Sequence, residues 1–129
     1  MRVIMFQDRF VSKIKDGTKI HTIRKSDRVT GMSYSLRRWT GKPYRSKQER
    51  ILEVVCAGTC LVSIGHGENQ DKINLEGVEM STIQREVIAR DDGFQSAEEM
   101  LKWFQDNHGL PFEGWLIEWK ALEQKEKVS

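Results

Sequence analysis

The sequence predicts an α+β domain: a small, strongly bent or closed sheet of mixed strands with helices packed over its openings. Three observations carry this reading. Short β-prone runs broken by turn residues occupy much of residues 2–75. From Ser81 the apolar residues recur at helical spacing. An alternating strand pattern then returns at Glu113 to Lys120. A length of 129 residues fits one domain. Residues 1–121 are expected to form it, with 122–129 as a charged C-terminal tail, frayed from Gln124 to Ser129.

Arg2 to Phe6 reads as a short strand. Asp8 is placed to cap a helix from Arg9 to Asp16, with Phe10, Val11 and Ile14 on one face and Gly17 just past its end. Thr18 to Arg24 is rich in β-branched residues and reads as extended. Ile20 and Thr22 fall on one side, and Lys19, His21 and Ile23 on the other. Met32 to Trp39 is a strand. Residues 40–50 hold Gly41, Pro43 and four bases, which predicts a mobile loop. Ile51 to Ile64 is the longest β-prone run, with Gly58 marking a bulge or bend. Gly65 to Asn69 is a turn, and Lys72 to Leu75 a further strand. Ser81 can cap a helix carrying Ile83, Val87 and Ile88 that ends near Asp91, Asp92 and Gly93. Ser96 starts a second, with Glu99 completing a capping box and Met100, Leu101, Trp103 and Phe104 forming a broad apolar face. Gly109 and Pro111 stop it, and the final strand places Trp115, Ile117 and Trp119 on one side.

No apolar run approaches the roughly 20 residues that span a bilayer, so no membrane partner is expected. Cys56 and Cys60 do not make a disulfide scaffold. With no secretory signal pattern in Met1 to Phe10, this favours a reducing, cytoplasmic setting. The two cysteines share one strand face unless a bulge intervenes, and read as structural. The formal net charge of +2 hides an asymmetry. Residues 1–50 hold fourteen Lys/Arg against four Asp/Glu, a net of +10, while 51–129 carry seven against fifteen, a net of −8. That distribution suggests an electropositive face and an anionic partner.

Gly17 to Arg24 is the most unusual segment. A lysine partly buried beside another cation can serve as base or nucleophile. Thr22 supplies a hydroxyl, and Arg24 a planar fork for phosphate or carboxylate. The plainer alternative is an edge strand with solvated charges. Asp91, Asp92, Gly93 and Phe94 either set a carboxylate opposite Lys19 or simply end a helix. Arg37, Arg38, Trp39, Lys42, Tyr44, Arg45, Lys47 and Arg50 interleave bases with aromatics, as a surface that holds phosphates and stacks an unpaired base would; a solvated loop is the alternative. The histidines, His21, His66 and His108, are scattered, and no metal site is expected.

The pattern Gly17-x-Lys19 with Arg24 five residues on, after a short helix, resembles the signature of ASCH domains, relatives of the PUA RNA-binding fold. Ala89 to Phe94, Ser96 to His108 and Glu113 to Trp119 are similar to the rest of that pattern. The resemblance implies a small PUA-like mixed β-barrel with a cleft lined by the lysine segment. ASCH domains commonly carry glutamate three positions after the lysine. Thr22 stands there instead, which is similar to the branch of small bacterial ASCH proteins that hydrolyse the amide of N4-acetylcytidine. The resemblance implies Lys19, Thr22 and a downstream glutamate as the catalytic set. The matching position is Val78, so the adjacent Glu79 is the expected carboxylate and Glu76 the alternative. Thr22 would attack the acyl carbonyl, Lys19 take its proton, and Arg24 steady the oxyanion or a phosphate. No cofactor is expected. His21, Arg24, Arg37, Arg38, Tyr44 and Arg45 are the expected substrate contacts, and RNA or a modified nucleoside the expected partner of a monomer. The alternatives are a non-catalytic RNA-binding module, an ASCH-type ribonuclease using Asp91 and Asp92, and a protein-interaction adaptor.

Overall fold

The structure, a computed structural model, describes residues 1–122. The tail expected from Gln124 to Ser129 lies outside the described residues. The strands are β1 (Arg2–Met5), β2 (His21–Arg24), β3 (Ser33–Trp39), β4 (Gln48–His66), β5 (Lys72–Leu75), β6 (Val78–Glu79) and β7 (Phe112–Ala121). The helices are α1 (Val11–Lys15), preceded by a 3₁₀ turn at Asp8–Phe10, then α2 (Thr82–Asp91) and α3 (Ala97–Asn107). None of them is long and apolar enough to cross a membrane.

The 19-residue β4 organises the sheet. Val54 pairs with Tyr34 of β3 and with Ala121 of β7, while Val62 pairs with Leu75 of β5 and with Gly114 of β7. A strand residue has one neighbour on each edge, so β3 and β5 share one edge of β4 and β7 takes the other. β1 joins β3 in parallel, and β2 and β6 pair antiparallel with β7 and β5. The result is one seven-stranded mixed sheet that does not close. The α+β class stands. Of the bent and closed alternatives the sheet takes the open one, and the barrel implied by the family resemblance is absent from this strand pairing.

The bend has visible causes. Register shifts occur in β3–β4 between Leu36 and Arg37, in β4–β7 between Cys56 and Gly58, and in β4–β5 between Ile64 and His66. Each inserts a residue and turns the strand. The shift at Gly58 also separates the cysteines. Cys56 lies opposite Trp119 and Cys60 opposite Leu116, three residues apart on β7, so the two thiols sit on opposite faces. Both are free.

Several local expectations change. Asp8 does not cap a helix: the first turn is 3₁₀, its N-cap is Gln7 without a side-chain bond, and Asp8 pairs with Arg38 at 3.1 Å. Ser96 accepts from the Glu99 backbone, but Glu99 turns away to bind Arg9 at 2.7 Å. The reciprocal capping box forms at Ser81 with Gln84 instead. On α2 only Ile88 and Ala89 are buried, while Ile83 and Val87 are exposed. The 40–50 loop is shorter than expected, because β4 begins at Gln48. It is tied across by Thr40 N–H and Oγ1 to Lys47 O, both at 2.9 Å, and by Gly41 N–H to Ser46 Oγ.

Side chains from every layer meet in one core, including Ile4, Phe10, Ile14, Leu36, Ile64, Met100, Phe104 and Ile117. The α2–α3 junction lies against the segment that leads into β2: Ile20 N–H bonds to Asp91 O, and Lys19 and His21 meet Asp92. That junction, the 3₁₀ turn and β2 position the site.

Candidate ligand-binding site

The segment after α1 is extended but is not an edge of solvated charges. Gly17 ends the helix at φ +83°, and Thr18 N–H is held by Asp16. Ile20 N–H then donates to Asp91 O at 2.9 Å, fastening the segment to the end of α2. Ile20 is 42% exposed, whereas Lys19, His21 and Thr22 are buried. Lys19 and His21 share a face, as their alternation predicts, and that face looks at Asp92.

Lys19 Nζ donates to Asp92 O at 2.6 Å and to Asp92 Oδ1 at 3.1 Å. His21 Nδ1 lies 3.0 Å from the same Oδ1. An ionised carboxylate can only accept, so Nδ1 carries the hydrogen. Burial pushes the Lys19 ammonium below the usual lysine range, Asp92 opposes that push by charge and hydrogen bond, and Arg24 and Arg9 add to it. The ammonium also lies 4.8 Å from the centre of the Phe10 ring and 5.7 Å from that of Phe6.

Above this pair opens a cavity of about 390 Å³, within the ~300–1,000 Å³ span of small-molecule sites. Its apolar walls are Phe6, Phe10, Phe94, Trp103 and Phe104. Phe10 meets Phe94 and Trp103 edge-on at 5.5 and 5.8 Å, and Trp103 meets Phe104 at 5.0 Å, so each ring is braced by another. Lys19, Thr22, Arg24 and Asp92 supply its polar surface, with Gln7, Lys25, Asn107 and His108 at the rim. Trp103 Nε1–H donates to Gln7 Oε1 at 3.2 Å, joining the end of β1 to α3.

Arg24 is the other cation inside. It donates through Nε to Thr22 Oγ1 at 3.3 Å and through a terminal nitrogen to Met5 O at 2.7 Å, and its guanidinium lies 4.8 Å from the Phe6 ring centre. Burial lowers it to about 10, with repulsion from Arg28 adding and Asp92 opposing. It stays charged at neutral pH. Among the described residues no carboxylate pairs with it. Burial, Lys25 and Arg24 also push the His108 imidazole down.

The structure brings Lys19, Thr22 and Arg24 to one cavity and sets His21 behind it on Asp92. It does not bring Glu79. That side chain lies on β6, paired with Lys72 at 3.2 Å, and does not line the cavity. Glu76 is fixed in the β5–β6 turn, where Oε1 accepts from Leu61 N–H at 2.7 Å. The carboxylate beside Lys19 is Asp92. Among the described residues no hydrogen bond joins Lys19 to Thr22. Arg37, Arg38, Tyr44 and Arg45 belong to the β3–β4 hairpin and do not line this cavity. The sequence gives no signal for the parts played by Phe6, Trp103 and Asn107, since their meeting depends on how β1 and α3 dock.

The buried pair makes a direct prediction. Asp92→Asn leaves an ammonium facing a neutral amide and should cost about 3–5 kcal/mol. The double variant Lys19→Met with Asp92→Asn, which removes both charges, should recover most of the loss. Urea unfolding of the two variants tests this; a loss below about 1 kcal/mol for Asp92→Asn would show that the pair does not hold the junction.

No family model, no curated protein and no solved structure matches this chain at a significant level.

Proposed function

We propose that this chain binds a nucleoside or nucleotide unit, free or within RNA, in the cavity above Lys19. The observation that carries the proposal is Arg24: a guanidinium inside an aromatic-walled hollow, on the face of Phe6, with no carboxylate pairing among the described residues. Aromatic walls favour a flat ring. An unneutralised planar fork favours a phosphate or a carbonyl-rich edge. Asn107 and Gln7 at the rim add amide donors and acceptors, the groups that read the edge of a base. The likeness of Gly17, Lys19 and Arg24 to the ASCH pattern supports the same ligand class.

In this reading Lys19 and Asp92 form the floor and set its charge rather than meeting the ligand as free ions. Arg24 receives the anionic or carbonyl part. Titration of the protein with cytidine 5′-monophosphate, followed by calorimetry, tests this. Arg24→Ala should weaken binding about 10- to 100-fold, the equivalent of losing hydrogen bonds to a charged group. An unchanged affinity would remove Arg24 from the site and the proposal with it.

His108 gives a pH signature. Its lowered pKa keeps it neutral at pH 7 in the free protein, and it gains its proton only below the ordinary histidine range near 6.5. A bound phosphodiester beside it favours the protonated form, so binding takes up a proton and affinity rises as pH falls. A cytidine dinucleoside phosphate, whose phosphodiester keeps one charge across this range, should bind more tightly at pH 5.5 than at pH 7.5. His108→Gln should flatten that dependence. Equal slopes in both proteins would sink the assignment.

A second reading adds chemistry: cleavage of the amide of an N4-acylated cytidine. Thr22 and Lys19 facing one cavity favour it, with Arg24 donating to the Thr22 hydroxyl. With Lys19 as the neutral amine, the form its burial favours, the Thr22 oxygen adds to the acyl carbon and its proton passes to the Lys19 nitrogen. The C–N bond then breaks as the cytosine amine takes that proton, and water hydrolyses the threonyl ester to release the acid. Asp92, not Glu79, is the carboxylate that orients Lys19. Lys19→Ala is an unsuitable test, because it strands Asp92 in the interior. Thr22→Val keeps the shape and removes the hydroxyl. Acetate release from N4-acetylcytidine by the unmodified protein, lost in Thr22→Val with cytidine binding kept, is the expected result. No release by the unmodified protein would confine the function to binding.

A further inference from the structure

We infer that the tip of the β3–β4 hairpin is a second nucleotide subsite, so that the ligand is a single-stranded polynucleotide rather than a free nucleoside; this rests on the cavity reading above for its first subsite. Beside the Lys19 cavity lies another hollow of about 340 Å³, lined by Trp39, Gly41, Pro43 and Asp8. Met5, Phe6 and Gln7 line both hollows, so the end of β1 is a shared wall and the two open side by side.

The surface over this hollow is built for stacking. Tyr44 is 89% exposed, and its ring centre lies 5.1 Å from that of Trp39 with the planes at 48°. The Tyr44 backbone sits at φ +63°, a conformation rare for a bulky residue. The tip that holds it there is braced by Arg45 N–H to Lys42 O at 3.1 Å and by Ser46 Oγ–H to Lys42 O at 2.9 Å. An exposed ring held in place can stack on a base with little ordering cost.

The charges around it distinguish a polynucleotide from other partners. Arg38 is already neutralised by Asp8 and Glu49. Arg37 is different: among the described residues its guanidinium bonds to Ser35 Oγ and the Gln48 amide oxygen, both neutral. Lys42, Arg45 and Lys47 are exposed, and among the described residues none pairs with a carboxylate. Aromatic faces beside several unneutralised cations complement bases joined by phosphates.

The test compares cytidine 5′-monophosphate with an eight-residue oligocytidylate, as RNA and as DNA, by calorimetry on the unmodified protein and two variants. The eight-mer should bind at least about ten-fold more tightly than the mononucleotide. Tyr44→Ala, at a side chain that is 89% exposed and outside the Lys19 cavity, should remove about ten-fold from eight-mer affinity and leave the mononucleotide unchanged. Replacing Lys42, Arg45 and Lys47 by Gln should flatten the salt dependence of the eight-mer by about two log units per log unit of salt. A preference between the RNA and DNA forms assigns the sugar. If the mononucleotide binds but the eight-mer gains nothing, or Tyr44→Ala binds it as before, the hairpin subsite is wrong and the cavity reading survives. If the eight-mer binds through the hairpin while the mononucleotide does not bind, the subsite stands and the cavity reading falls. If neither binds, both fall.

Discussion

A lysine that is 2% exposed must find a counter-charge or lose its proton, and the contact between Lys19 and Asp92 is where this fold meets that demand. Asp92 is the C-cap residue of α2, so Lys19 meets both a carboxylate and a carbonyl at the negative end of a helix. Gly93 follows at φ +95°, the left-handed turn that commonly ends a helix. A Cβ there would come within 3.2 Å of the Lys19 side chain and 3.3 Å of the Phe10 ring. One glycine thus serves two needs: the turn that aims Asp92 and the space that admits the lysine. With Ile20 bonded to Asp91, the segment after α1 and the end of α2 form a single unit.

The rings of the cavity follow from that unit. Phe10 comes from the 3₁₀ turn before α1, and Phe94 from the residue after Gly93. Both lie 5.0 Å from the guanidinium of Arg9, which also binds Glu99 of α3. Lys19 sits against Phe10 on the inside. Aromatic faces carry partial negative charge, so stacking cations on them offsets part of the cost of burying those cations, by roughly 0.5–2 kcal/mol each. Within this arrangement Lys19 has an anion, and among the described residues Arg24 has neutral acceptors alone. The asymmetry between the two cations gives the cavity its chemistry: one fixes the structure, and the other is open to a ligand.

The sequence made the local pieces legible. Alternation placed Lys19 with His21, Gly17 marked a helix end, Gly58 marked a bulge, and Ser81 and Ser96 marked helix starts. Each of these depends on neighbours within a few residues. What escaped depended on distant docking. Glu79 is adjacent in sequence to the expected position, but β6 pairs with β5, and its side chain went to Lys72. Asp92 was visible as one of two carboxylates beside a glycine, but only tertiary packing selects it over Asp91. Glu99 had a capping role available and took Arg9 instead, a longer-range contact between two charges. Ile83 and Val87 kept helical spacing yet stayed exposed, because nothing in the described chain packs on that side of α2.

The charge asymmetry along the chain has a spatial meaning that counting alone could not supply. Four of the fourteen bases in residues 1–50 are neutralised by acids: Arg9 by Glu99, Arg38 by Asp8 and Glu49, Arg50 by Glu53, and Lys19 by Asp92. Arg24 in the cavity, and Arg37, Lys42, Arg45 and Lys47 on the hairpin, are left without acidic partners among the described residues. These two groups lie on either side of the wall made by Met5, Phe6 and Gln7. What sets these five cations apart is their placement beside aromatic rings, since exposed cations without an acid partner are ordinary on a protein surface. Cations open beside two adjoining aromatic hollows are the arrangement that the proposed ligand, a chain of bases joined by regularly spaced phosphates, would complement.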